Sequence, residues 1–426
     1  NNIILLYNYK MILPKVSNDF IGIFLKNMNK IEETKLTAKN KRIMRDFYNL
    51  LKKFDINLDN TKQISIEKTI ININNKQDII NKYTFLNDHS IFLSRNIQNL
   101  INSKLRYLYT FKIKIGGIFF TTNIFILNHD EYNVEQMKVK IIQLLFFISN
   151  FITNRKLRTL EINIILTKLK KELPTNPNEI LDSYHINTGV TWPCKSKGEI
   201  LVYREEEWFK VLIHELFHSM CLDFSHLNIN KLIKDKITKM FFIKNSYFSI
   251  SETYCEFWAN IINSILMSYS ITDNFNDFLY QFEIFNTFEK YFSIFQSIKV
   301  LNHMNLTYEI LISKSNIHKK LSIQNYKEKT NVLGYFIIKM IWLFYTNEMF
   351  LFFSDTHEKN IINSNKNYNY LTLLINKTSQ LYNKGKFLKE IKKYSKIFNQ
   401  LTFDMPIIDS QIDITRSLRM TVVEIN

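Results

Sequence analysis

The chain has 426 residues, 46% hydrophobic and 22% charged, a balance that excludes a disordered or fibrous polypeptide and is enough for two or three packed units. Its net charge of +17 attracts anionic partners, but lysines occur in every segment, and the densest clusters, "KLKKE" at 168–172 and "KEIKKYSK" at 389–396, fit solvated helix faces. Three cysteines (Cys194, Cys221, Cys255) exclude a disulfide framework and leave at least one thiol free, which points to a reducing, intracellular setting.

The opening stretch, "NNIILLYNYKMILP", shows no secretory leader pattern and no initiator methionine, so Met11 as the true start and a fragmentary chain are both open readings. Residues 1–105 are expected to be mainly helical, with apolar spacing over 41–54, although 63–75 is more strand-like. From 105 to 128 two β-rich runs flank Gly116-Gly117, a strand–turn–strand pattern. A long apolar-faced helix follows over 133–154, then a strand over 159–169. Three of the five prolines and two of the seven glycines fall within 174–198, marking a loop-rich crossover. "GEILVY" (198–203) is a short strand leading into a helix whose first turn is expected to hold Glu205, Glu206 and Glu207, where the helix dipole favours negative charge.

After residue 240 helices are expected over about 249–269, 286–304, 331–352 and 384–400. The most apolar run, 332–353, contains Lys339 and Glu348 and reads as a buried helix rather than a membrane span. The expected division is a helical region (1–105), a central region (106–305) and a second helical region (306–426). Oligomeric state is left open.

The helix after "GEILVY" carries His214-Glu215-Leu216-Phe217-His218. Residues four apart on an α-helix point the same way, so both imidazoles can meet one Zn²⁺ at about 2.0–2.1 Å. Glu215, one position round, is placed to act on a water at the metal as a general base. With nine histidines and 39 acidic residues, roughly 0.02 such patterns are expected by chance. A third protein ligand is still required. A Gly and a further His three and six residues downstream would supply one known continuation, but those positions hold Cys221 and Phe224. His226 and Asp223 are weaker candidates.

"SISETYCEFWANIINSIL" (249–266) offers a better one, because Glu252 and Glu256 share a helix face, with Ser251 as the expected N-cap. Aromatic neighbours imply partial burial, where carboxylates need a compensating partner. Cys221 and Cys255 read as small core residues rather than ligands.

HELFH followed by "ETYCE" resembles the gluzincin class of zinc metallopeptidases. The stretch 187–220 is also similar to metallopeptidases of nucleocytoplasmic large DNA viruses. The resemblance implies an α+β, zincin-like fold, with a small mixed β-sheet packed on the active-site helix and mainly helical N- and C-terminal regions. It implies one Zn²⁺ per chain on His214, His218 and Glu252, Glu215 as catalytic base, and Glu256 orienting the first histidine, where Asp is more usual. It further implies an oxyanion donor, for which Tyr254, His303 and Tyr308 are candidates, and a substrate-binding edge strand. The stretch Thr188-Gly189-Val190-Thr191, or "GEILVY", is a candidate for that strand, and a Gly in so Gly-poor a chain signals either close approach or an ordinary turn.

The expected function is hydrolysis of a protein or peptide substrate. The competing reading is a basic, non-catalytic viral or cellular protein that binds nucleic acid, with zinc structural or absent. A structural zinc is normally closed by four protein ligands, and three stand out here, which favours the open arrangement.

Overall fold

The computed structural model describes residues 13–27, 34–55, 63–86, 93, 95–127, 132–152, 156–227, 231–244, 246–355, 361–362, 367–403 and 414–424; Met11 lies outside them. The backbone forms two interleaved compact units, a sheet unit (50–170 and 188–222) and a helical unit (1–49, 171–187 and 223–426). The boundaries expected at 105/106 and 305/306 both fall inside a unit.

The sheet unit is built on six strands, β1 (Glu67–Ile70), β2 (Leu105–Ile115), β3 (Ile118–Leu127), β4 (Thr159–Ile165), β5 (Gly189–Thr191) and β6 (Lys197–Val202), in the order β1-β2-β3-β4-β6-β5. β1, β2 and β3 form an antiparallel meander, whereas β3, β4 and β6 run parallel. β5 returns antiparallel to β6 and lies at the edge.

The hairpin between β2 and β3 turns on Gly116 (φ +57°) and Gly117 (φ +85°). Both positions need the left-handed backbone that costs other residues about 1–2 kcal/mol each. β1 is shorter than the strand-like sequence, because Asn72 and Asn75 bond one another's backbone and close a turn straight after it. Helix α1 (Val134–Ser149), capped by the Asn133 side chain on the Gln136 N–H, makes the crossover from β3 to β4. One core of this unit gathers Tyr83, Phe85, Leu86, Ile97 and Ile101 onto Leu108, Phe125, Leu127, Ile165, Leu201 and Tyr203.

Helix α2 (Trp208–Ser219) packs on β6 and β5. It starts later than expected. Glu205, Glu206 and Glu207 precede it, with Glu207 as N-cap at φ +61°, and the first turn holds no acidic residue. Glu206 and Glu207 are buried.

In the helical unit, α3 (Ile250–Ser270), α4 (Phe275–His303) and a π-helical turn (Leu333–Ile338) continuing into α5 (Lys339–Phe344) pack against one another. α4 begins eleven residues before the expected start, where the Asn274 side chain caps the amides of Asn276 and Asp277. The apolar run 332–353 is not one helix; it bends by 88° between Leu333–Phe344 and Thr346–Asp355. Among the described residues no single helix is long and apolar enough to cross a membrane. The whole is a mixed α+β protein in which a six-stranded mixed sheet carries the histidine helix.

Candidate metal centre

Within the sheet unit, α2 turns both imidazoles to one side. The Nε2 atoms of His214 and His218 lie 3.0 Å apart, and the rings are 4.8 Å apart at 69°. Both side chains are buried. A tetrahedral Zn²⁺ with two nitrogens at 2.0–2.1 Å needs them about 3.3 Å from one another. The pair therefore fits a shared metal ion with a few tenths of an ångström of adjustment. Glu215 is buried beside them on the same helix.

The end of α2 is closed by the chain's own backbone. The Leu222 N–H reaches the Phe217 carbonyl and the Cys221 N–H the His218 carbonyl, with Cys221 left-handed at φ +58°. That double bond pattern satisfies carbonyls that a helix terminus otherwise leaves open. A disulfide joins Cys221 to Cys194, and the Cys194 N–H also donates to the His218 carbonyl, 3.2 Å away. Cys221 is thus cross-linked as well as buried, and Cys255, also buried, is the cysteine left outside the disulfide, as the odd count requires. The tertiary fold is the cause of the cross-link, because it brings two residues 27 apart in sequence to a Cα separation of 4.9 Å.

Edge strand β5 runs against this helix. A Cβ added to Gly189 would stand 2.8 Å from Val211 Cγ1 and 2.9 Å from both Cγ and Oε1 of Glu215. The glycine marks close approach of the strand backbone to the carboxylate, and of the two readings of Gly189 the ordinary turn drops out. Thr188 is buried and its carbonyl accepts from the Tyr203 N–H; Val190 and Thr191 are half-buried, and the Thr191 hydroxyl donates to the Glu199 carbonyl.

In the helical unit, α3 starts at Ile250 with Ser249, not Ser251, at the N-cap position and with no side-chain cap bond. Glu252 lies in its first turn, where the helix dipole favours a carboxylate. Its Oε2 accepts from the Tyr335 hydroxyl at 3.0 Å. One turn on, the Glu256 carboxylate is buried with its Oε2 3.5 Å from the Lys339 ammonium, itself buried. Tyr335 and Lys339 repeat the four-residue spacing of the two glutamates, so two helical segments match rung for rung.

Neither residue emerges as a site candidate from sequence reading. The available signal is Lys339 itself, since a lysine inside a buried apolar run requires a partner.

The three candidate oxyanion donors are placed otherwise. Tyr254 is fully buried among Phe224, Trp258 and Phe353, and burial pushes its phenol well above the usual range. The Tyr308 hydroxyl donates to the Tyr382 carbonyl at 2.8 Å, and burial raises its pKa likewise. His303 Nε2 lies 2.8 Å from the Glu179 carbonyl. The last two therefore spend a polar atom on backbone. Of the weaker ligand candidates, Asp223 Oδ1 accepts from the hydroxyl and N–H of Ser225.

No protein-family model matches the chain. No solved structure matches it either. An uncharacterized protein of Acanthamoeba polyphaga mimivirus is 23% identical over 292 residues, covering 65% of this chain and 73% of that protein.

Proposed function

We propose that this protein is a zinc-dependent metallopeptidase of gluzincin type with a zincin-like catalytic arrangement. His214, His218 and Glu252 would hold one Zn²⁺, and Glu215 would serve as general base. The observation that carries the reading is the pair of Nε2 atoms converging at 3.0 Å on a buried helix face, with a carboxylate one residue round.

A bound Zn²⁺ would supply Lewis acidity, making water acidic near neutral pH and polarising a substrate carbonyl. The chain's own groups do the rest. Glu215 accepts the proton of the attacking water and returns it to the leaving amine. Its carboxylate lies against the Gly189 backbone, so a peptide lying along β5 passes beside the base. Among the described residues β5 is the last strand in the sheet order, beside β6, and an extended peptide would add along its outer edge. The Tyr335 hydroxyl orients Glu252, and Glu256, charge-paired with Lys339, would orient the first histidine.

The test is Glu215→Gln assayed beside the unaltered protein. The variant is expected to keep about one zinc per chain while peptide hydrolysis falls by about 10²–10⁴-fold. Unchanged cleavage rejects Glu215 as base. Less than about half an equivalent of tightly held zinc in the unaltered protein, with salt-sensitive polynucleotide binding in its place, rejects the peptidase reading in favour of the basic nucleic-acid-binding one.

A further inference from the structure

Residues 417–423 form no helix and, past the single bridge at Ser417, no strand, yet they are buried. Irregular backbone inside a protein must find hydrogen-bond partners, and here side chains of α3, α4 and α5 supply them. Gln296 and Lys299 donate to the Ser417 carbonyl, and Gln296 also to that of Arg419. Asn260 and Lys339 donate to the Met420 carbonyl at 3.1 and 3.0 Å, and Asn263 to that of Val423. Glu289 Oε1 accepts the Val422 and Val423 amides at 3.0 and 2.9 Å and the Thr421 hydroxyl. At its start the segment bridges 171–173, through Leu418 N–H to the Lys171 carbonyl and Leu173 N–H to that of Arg416.

Six buried polar side chains (Asn260, Asn263, Glu289, Gln296, Lys299, Lys339) thus read the main chain of one extended segment. Polar groups are placed in a helical core at a cost that only filled partners offset. Lys339 links this set to the proposed site, because the ammonium that holds the Met420 carbonyl also faces Glu256.

We infer that Lys339 is a positioning residue for the metal centre and that the chain's own C-terminal segment acts as a strap holding it against Glu256. The inference rests on the metallopeptidase reading above. With the strap seated, Lys339 has one direction fixed by the Met420 carbonyl and the other by the Glu256 carboxylate. With the strap gone, the ammonium loses its carbonyl, and Glu256 loses the fixed charge that sets its orientation. The strap is held largely through its backbone carbonyls and amides, with the Thr421 hydroxyl adding a side-chain bond to Glu289.

The experiment compares the full chain with a chain lacking residues 414–426, each titrated with zinc ion alone and assayed on one peptide substrate. The shortened chain is expected to bind zinc about 10- to 100-fold more weakly. Its kcat at saturating zinc should fall while KM changes little, and a synthetic 414–424 peptide added in trans should restore both. In the full chain, Lys339→Gln should reproduce the loss and Lys339→Arg recover most of it, a pattern that simple packing does not generate. Should the shortened chain fail to fold, Asn263→Leu in the full chain loosens the strap at Val423 without touching Lys339 or Glu256, and weaker zinc binding is expected there too. Zinc affinity and kcat within twofold of the full chain, in a folded shortened chain or in Asn263→Leu, overturn the strap but leave the metallopeptidase reading standing. Absence of zinc binding in the unaltered full chain overturns both.

Discussion

Helices α2 and α3 each carry a pair of candidate site residues four apart, and the two pairs meet different neighbours. On α2 the four-residue spacing brings the two imidazoles to one side of the helix, with their nitrogens 3.0 Å apart. On α3 each carboxylate is aimed by a residue 83 positions further along, Glu252 by Tyr335 and Glu256 by Lys339. A carboxylate drawn into a protein interior needs a hydrogen bond or counter-charge, and on α3 Tyr335 and Lys339 supply them.

That contrast can be broken at three points. The largest effect is expected from His218→Ala, which removes one of the two imidazoles that meet on α2; zinc measured on the purified variant should fall below about half an equivalent per chain. Zinc retained at full stoichiometry would show that the metal sits elsewhere.

Gly189→Ala comes next. Its methyl group would overlap Val211 and Glu215, so the base must shift while both imidazoles stay. About a hundredfold loss in kcat with unchanged zinc content is expected, and a kcat within threefold of the parent would remove β5 from the account of the base. The mildest change is Tyr335→Phe, which deletes one hydrogen bond to Glu252. A zinc dissociation constant about tenfold higher is expected from competition with a chelator, with little change in melting temperature. An unaltered constant would mean that Glu252 needs no outside orientation.

How much was legible follows the same division. The Gly116-Gly117 hairpin, the α1 crossover and the histidine helix are local patterns and all three form, although the histidine helix starts at Trp208 and α1 ends at Ser149. Boundaries failed where a side chain outvoted propensity: Asn274 extends α4 upstream, and Asn72 and Asn75 cut β1 short. The run 332–353 misled because uniform hydrophobicity carries no information about a bend. Tyr254, His303 and Tyr308 were reasonable donors by residue type, yet type does not say which way a side chain faces. Two of them bond carbonyls of Glu179 and Tyr382, and the third is enclosed by aromatic rings.

That His214, Glu215 and His218 share a helix turn is legible from the chain alone, because a 3.6-residue period is written into consecutive residues. The β2–β3 hairpin is legible likewise, two adjacent glycines being enough to allow a left-handed turn. Folding brings β5 against Glu215, Cys194 to Cys221, Tyr335 to Glu252, and Lys339 to both Glu256 and the Met420 carbonyl. Those contacts join residues far apart in the chain, chosen by what a buried charge or an unpaired backbone group requires once the core has closed, and no local spacing encodes that choice.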